Sequence, residues 1–208
     1  MNQNAPAAIL QATSQHLNKR GFDAQTYADK EQAAQAILGQ IPPGSTVGIG
    51  GSVTIQTLQL SGRLKAQGCT VFWHWEQGDD AALRKAAFYA DYYLLSANAL
   101  GENGILYNID ATGNRVAATQ YGPAKVLMVI GRNKLVHGGH EQALARIHQV
   151  ACPQNARRLG LKTPCAITGK CTDCKSPQRM CAITAILEKR PSAKPFFKVL
   201  LVDEDLGY

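Results

Sequence analysis

Four cysteines near the C-terminal end of the chain carry its strongest chemical signal. Cys165, Cys171, Cys174 and Cys181 follow a C-x5-C-x2-C-x6-C pattern. Four thiolates are the usual ligand complement of one cluster or one tetrahedral ion. The Cys171 and Cys174 pair can grip a centre from a single turn, with Cys165 and Cys181 closing the set from either side. Structural zinc commonly uses two short Cys-x2-Cys knuckles, and only one is present, so the spacing favours an iron–sulfur cluster of the 4Fe–4S type, with zinc as the alternative. Lys170, Lys175 and Arg179 stand among these thiols, where positive charge would raise the reduction potential of an anionic cluster. Cys152 is a candidate fifth participant, while Cys69, in an apolar segment, reads as a small buried hydrophobe. His16, His74, His137, His140 and His148 show no H-E-x-x-H spacing and read individually as surface or core residues.

A second chemistry, anion binding, is suggested by two polar segments. Gly50, Gly51 and Ser52 follow an apolar strand and precede a helix, so their N–H groups could face a phosphate or carboxylate. The third glycine of a dinucleotide fingerprint is replaced by Val53 and no Lys-Ser/Thr pair closes a phosphate loop, so a nucleotide is not indicated. Farther along, Asn108, Asp110, Asn114 and Arg115 offer amides, a carboxylate and a forked cation to a small organic anion. For Gly113 and Asn114, turn formation is the simpler explanation. The glycine turn and Arg115 are expected to converge on one pocket, because both follow strands of what should be one sheet.

The elements that must position these groups alternate. Helices are expected over residues 5–20 and 29–40, the second capped by Asp29, with a short strand at 22–27 between them. Strand 46–49, helix 53–67, strand 69–75, helix 79–89 from an acidic cap, and strand 92–96 follow. This alternation predicts an α/β fold with a mainly parallel sheet flanked by helices. Residues 105–109 and 115–119, around a glycine-containing turn, predict an antiparallel hairpin insert. Strand 125–130, helix 140–150 and strand 198–202 complete the order.

A chain of 208 residues suits one domain, here residues 1–208 with 152–190 as a cysteine-rich, metal-binding segment inside it. With 45% hydrophobic and 18% charged residues it reads as globular. No apolar run approaches the roughly 20 residues that span a bilayer, and the N-terminal segment lacks a secretory pattern, so a cytoplasmic location is expected. Disulfides do not persist there, which leaves the thiols free as ligands. The net charge of +7 invites a nucleic-acid reading, but the excess is concentrated in residues 157–198, with ten Lys and Arg against two Asp and Glu. These cations are not interleaved with aromatics, which argues against nucleic acid.

Several stretches together resemble the lactate-utilisation (LUD) domain family: Gly48-Ile49-Gly50-Gly51-Ser52, Asn108-Ile109-Asp110, Gly113 to Ala118, Gly122-Pro123 with Lys125-Val126, and Gly131 with Asn133-Lys134. The segment from Pro164-Cys165 to Cys181 is similar to the tail of stand-alone members. The resemblance implies a fold like ribose-5-phosphate isomerase and CoA-transferase subunits. It also implies a place in lactate oxidation to pyruvate, as an electron-transfer or accessory partner of iron–sulfur or other oxidoreductase subunits. A small-molecule enzyme acting on a carboxylate or phosphate, of acyl or CoA-transferase or isomerase type, is the alternative. Gly101-Glu102-Asn103-Gly104 resembles the stretch carrying the nucleophilic glutamate of some CoA-transferases, which would make Glu102 catalytic.

Overall fold

The computed structural model describes residues 5–78, 81–123 and 125–208. It opens with helix α1 (Ala5–Lys19), strand β1 (Asp23–Tyr27) and helix α2 (Lys30–Gln40). The Asp29 side chain accepts from the Gln32 N–H at 2.8 Å and so starts α2, as its sequence suggested. Strand β2 (Thr46–Ile49) leads into α3 (Val53–Thr57) and α4 (Leu60–Ala66). One helix was expected over 53–67. Gln59 breaks it with φ of 51°, after a stretch in which Val53, Thr54, Ile55 and Thr57 are β-branched and therefore weak helix formers.

Strand β3 (Thr70–Trp73) ends earlier than expected, because His74–Gln77 forms a turn of helix, α5. Helix α6 (Ala81–Phe88) follows, and the acidic cap expected at residue 79 lies outside the described residues. Next come β4 (Tyr92–Leu95), β5 (Ala99–Gly101), β6 (Leu106–Asp110), α7 (Asn114–Gln120) and β7 (Lys125–Gly131). The antiparallel hairpin exists, but it is formed by β5 and β6, with Ala99 opposite Tyr107. Residues 115–119, expected as its second arm, are helical in α7, since the turn at Gly113 is followed by an N-terminus that Asp110 caps.

The short strand β8 (Leu135–Val136) precedes a nearly continuous helical run. It comprises α8 (His140–Arg146), a π-helical turn at Ile147–Ala151 and α9 (Cys152–Arg158). Pro153 supplies a physical cause for the turn: it has no N–H to donate, so the regular ladder must slip where it enters. Helix α10 (Pro164–Thr168) and strands β9 (Ile183–Leu187) and β10 (Phe196–Val202) complete the chain.

The larger sheet is wholly parallel, in the order β1-β10-β7-β4-β2-β3. Its strands are near-continuous apolar runs because both faces are covered. Along β7, Val126, Met128 and Ile130 pack toward Leu10 and Leu17 of α1, while Leu127 and Val129 pack toward Ile37 of α2 and Leu64 of α4. A smaller mixed sheet, β8-β5-β6-β9, packs Tyr107 and Ile109 against Ala143, Ile147 and Cys152 of the helical run. The chain after β2 turns outward to β3, whereas the chain after β4 runs the other way to β7. Adjacent strands β2 and β4 therefore form a switch point, and a crevice is expected beyond their carboxyl ends. Among the described residues, no helix is long and apolar enough to cross a membrane.

Candidate functional site

A pocket of about 340 Å³ occupies that crevice. Gly51, Ser52 and Thr54 enter it from the end of β2, Ser96 and Asn98 from the end of β4, and Asp110, Asn114 and Arg115 from the end of β6 and the start of α7. The glycine turn and Arg115 thus meet in one cavity, although more than 60 residues separate them in the chain. Gly50 shows how close they are: a Cβ there would lie 2.9 Å from Arg115 Cγ and 3.1 Å from the Tyr93 hydroxyl. Its missing side chain lets the Arg115 stem cross the turn. Gly50 does not present its amide to a ligand, since that N–H donates to the Leu94 carbonyl at 3.0 Å and extends the sheet ladder. Ser52 caps α3, its hydroxyl accepting from the Ile55 N–H at 3.3 Å. Of the three expected amide donors, Gly51 and Ser52 line the pocket.

Asp110 is an organiser of the site. Its carboxylate accepts from the Arg115 N–H at 2.9 Å, the Val116 N–H at 3.2 Å and the Ala111 N–H at 3.1 Å, and it pairs with the Arg115 guanidinium at 3.5 Å. Arg115 also donates to the Ile109 carbonyl at 2.5 Å, so its fork is held in place at the pocket wall. Replacing Asp110 by alanine should remove the cap of α7 and strand a buried guanidinium, costing about 2–3 kcal/mol. Urea unfolding measures this, and an unchanged midpoint would show that the carboxylate does not organise the turn.

Lys134 lies at the pocket floor and was not singled out as a binding residue from sequence. Only 3% of it is exposed, and its Nζ donates to Thr54 Oγ1 at 2.7 Å and Ser96 Oγ at 2.9 Å. Among the described residues no carboxylate pairs with it. Burial holds its pKa well below the ordinary lysine value, and the nearby Arg146 and Arg115 charges push the same way. Arg146, itself lowered to about 10 by burial, clamps the Asn98 and Asn133 carbonyls. At the mouth, Arg158 stacks over the Trp75 ring at 4.3 Å. Arg115, Lys134 and Arg158 bring positive charge to the pocket, and the lining Asp110 is already engaged.

Two expected residues lie elsewhere. Asn108 is buried within β6 and does not line the pocket. Glu102 sits in the β5–β6 turn, outside the pocket, with its carboxylate 2.8 Å from His137 Nδ1. That hydrogen bond raises the His137 pKa.

The cysteine segment borders the same pocket. Asn155 and Met180 line it and contact each other, the amide nitrogen lying 3.3 Å from the thioether sulfur. Cys181 follows Met180, and the Ala182 N–H donates to the Asp110 carbonyl at 3.1 Å, which lays this segment against β6. His148 and Cys152, four residues apart, share a helical face. With Cys181 they form a group whose ligand atoms all lie within 4.8 Å of one another. Cys171 Sγ is 3.7 Å from His148 Nδ1. Burial pushes the Cys152 thiol up to about 12, and the Cys181, Cys165 and Cys171 sulfurs add to the shift. Cys165 lies 3.3 Å from the Thr163 hydroxyl, while Arg179 holds the Cys174 carbonyl at 2.9 Å. The H-x3-C spacing of His148 and Cys152 was the available sequence signal for this group. Nothing local distinguished Lys134 from a surface lysine.

The LUD domain model matches residues 10–202. Among solved structures, the chain is similar to a DUF162 family protein from Deinococcus radiodurans, with a TM-score of 0.56 and 13% identity over 95% of this chain and 98% of that one. At that identity the likeness concerns the fold alone. No curated protein matches the chain.

Proposed function

The chain belongs to the LUD domain family, which is associated with lactate utilisation, and from that membership we propose that its pocket binds a small carboxylate of the lactate or pyruvate class. One observation carries the reading: Lys134 is buried at the floor of the pocket with hydroxyl partners and, among the described residues, no carboxylate of its own. A buried cation without a counter-ion is costly, and a bound anion supplies one. The carboxylate would meet Lys134 from below and Arg115 from the side. The Thr54 and Ser96 oxygens, whose own protons go to the Leu206 and Ala97 carbonyls, can accept from the hydroxyl of a 2-hydroxy acid.

Calorimetric titration of the full chain with L-lactate and pyruvate, with inorganic phosphate for comparison, tests the proposal. One saturable carboxylate site per chain is expected. Arg115→Lys should weaken it about tenfold, because only guanidinium offers a fixed two-pronged donor. Absence of saturable binding by either acid would overturn the reading.

An accessory electron relay beside iron–sulfur subunits of a lactate-oxidation system is the second reading. It is favoured by the shared wall: Met180 lines the pocket and precedes Cys181, so a redox centre in the cysteine segment would lie against the bound acid. This role needs a redox-active metal at those thiols, such as an iron–sulfur cluster on Cys165, Cys171, Cys174 and Cys181.

A further inference from the structure

We propose that His148, Cys152, Cys171 and Cys181 form a site for one tetrahedral zinc ion, with Cys174 outside the ligand set. The site does not rest on the carboxylate proposal, and at these thiols it competes with the electron relay.

The geometry favours a single ion over a cluster. In a tetrahedral site two thiolates, each about 2.3 Å from zinc, stand about 3.8 Å apart. The ligand atoms of His148, Cys152 and Cys181 lie within 4.8 Å of one another, so small side-chain shifts would bring them onto one ion; Cys171 is outside this group and would draw in beside His148 on binding. A tetrahedral ion at about 2.3 Å from sulfur and 2.0 Å from nitrogen places those two atoms about 3.6 Å apart. Cys171 Sγ and His148 Nδ1 are 3.7 Å apart. A four-iron cluster instead binds each thiolate to a different iron and spreads the sulfurs more widely. One imidazole with three thiolates is also an established structural zinc set.

The elements explain why these four groups meet. His148 and Cys152 project from one face of the helical run at its π-helical turn, a local irregularity common at functional sites. Cys181 is brought to them by β9, which pairs with β6 from Asp110–Ile183 onward. Cys171 lies in the exposed loop after α10 and closes the group from solvent. Arg179 donates to the Cys174 carbonyl at 2.9 Å and the Cys181 carbonyl at 3.1 Å and so ties the loop to the group, while the Cys174 thiol is not among the ligand atoms that lie within 4.8 Å of one another. Zinc has no redox chemistry, so the ion would act as a clasp. By joining α9 to the residue after Met180, it would hold the Asn155 and Met180 wall of the pocket.

The test is metal and acid-labile sulfide analysis of the full chain purified anaerobically from zinc- and iron-supplemented cells, with competition against a chromophoric chelator. The expected result is one zinc per chain and no labile sulfide. Cys174→Ser should retain the ion at unchanged affinity, whereas Cys171→Ser and His148→Ala should bind at least tenfold more weakly. These two positions are exposed and half-buried, so their variants should fold even if Cys152→Ser does not. Cobalt in place of zinc should give the visible spectrum of a tetrahedral thiolate site in the wild-type chain. Iron with labile sulfide would overturn the inference in favour of a cluster. So would metal-free protein that takes up no zinc, or an ion held as tightly without His148 or Cys171.

Discussion

Lys134→Met is expected to weaken carboxylate binding by about 100-fold while leaving the fold as stable as before or more so. The two effects have one cause. The lysine is enclosed, its Nζ donates to the Thr54 and Ser96 hydroxyls with no carboxylate beside it among the described residues, and burial disfavours its charged form. A buried ammonium without a carboxylate destabilises the folded state, so an apolar side chain of similar length relieves that cost. Both hydroxyls keep acceptors after the change, Thr54 at the Leu206 carbonyl and Ser96 at the Ala97 carbonyl. The bound anion, in contrast, loses a charge-assisted hydrogen bond in a site shielded from water.

The pH dependence follows from the same shift. The folded pKa lies below the unfolded one, so between the two values the unfolded chain binds the extra proton and stability rises with pH. Below the folded pKa both states are protonated, and the full cost of the buried charge is present. Urea unfolding across this window should show the rise in the wild type and lose this contribution in Lys134→Met. Carboxylate affinity should fall as pH rises through the folded pKa, because the ligand then has to draw in a proton. Proton uptake on binding can be read by titration in buffers of different ionisation enthalpy. Full affinity in Lys134→Met would remove the lysine from the site.

Gly48→Ala should destabilise the fold by about 3 kcal/mol, or lower the melting temperature by about 10 °C. A Cβ at Gly48 would lie 2.1 Å from the Ala87 carbonyl oxygen and 2.7 Å from its carbon. Both are backbone atoms of α6, so no side chain can swing aside. Strand β2 cannot retreat either, since Gly48 is in register with Phe72 on one side and Tyr93 on the other. Shifting the strand would also move Gly51 and Ser52, so the pocket should weaken with the fold. Gly62→Ala is the control: a helical, exposed glycine with nothing within 4 Å of the added carbon, where alanine should stabilise slightly. Equal melting of Gly48→Ala and the wild type would show that α6 does not press on β2 at this point.

Periodicity and local chemistry were enough to determine the parallel α/β core. The runs at 46–49, 92–95 and 125–130 are too apolar for a one-sided sheet, and Asp29 marks the start of its helix by a hydrogen bond that spans three residues. The glycine turn does meet Arg115, but not through one sheet as expected: β2 belongs to the larger sheet and β6, which leads to Arg115, to the smaller one, so the packing of the two sheets brings them together. What local sequence could not decide was set by groups distant in the chain. Residues 115–119 became a helix through the Asp110 cap, and the helix expected over 53–67 broke at Gln59 while Thr54 bonded to Lys134 and Leu206. The burial of Lys134, the proximity of His148 and Cys152 to Cys181, and the position of Glu102 outside the pocket likewise depend on how the two sheets and the helical run pack. Side-chain type specifies what a residue can do chemically, but burial and partners specify what it does here. Those are properties of contacts between elements, and no short window of sequence contains them.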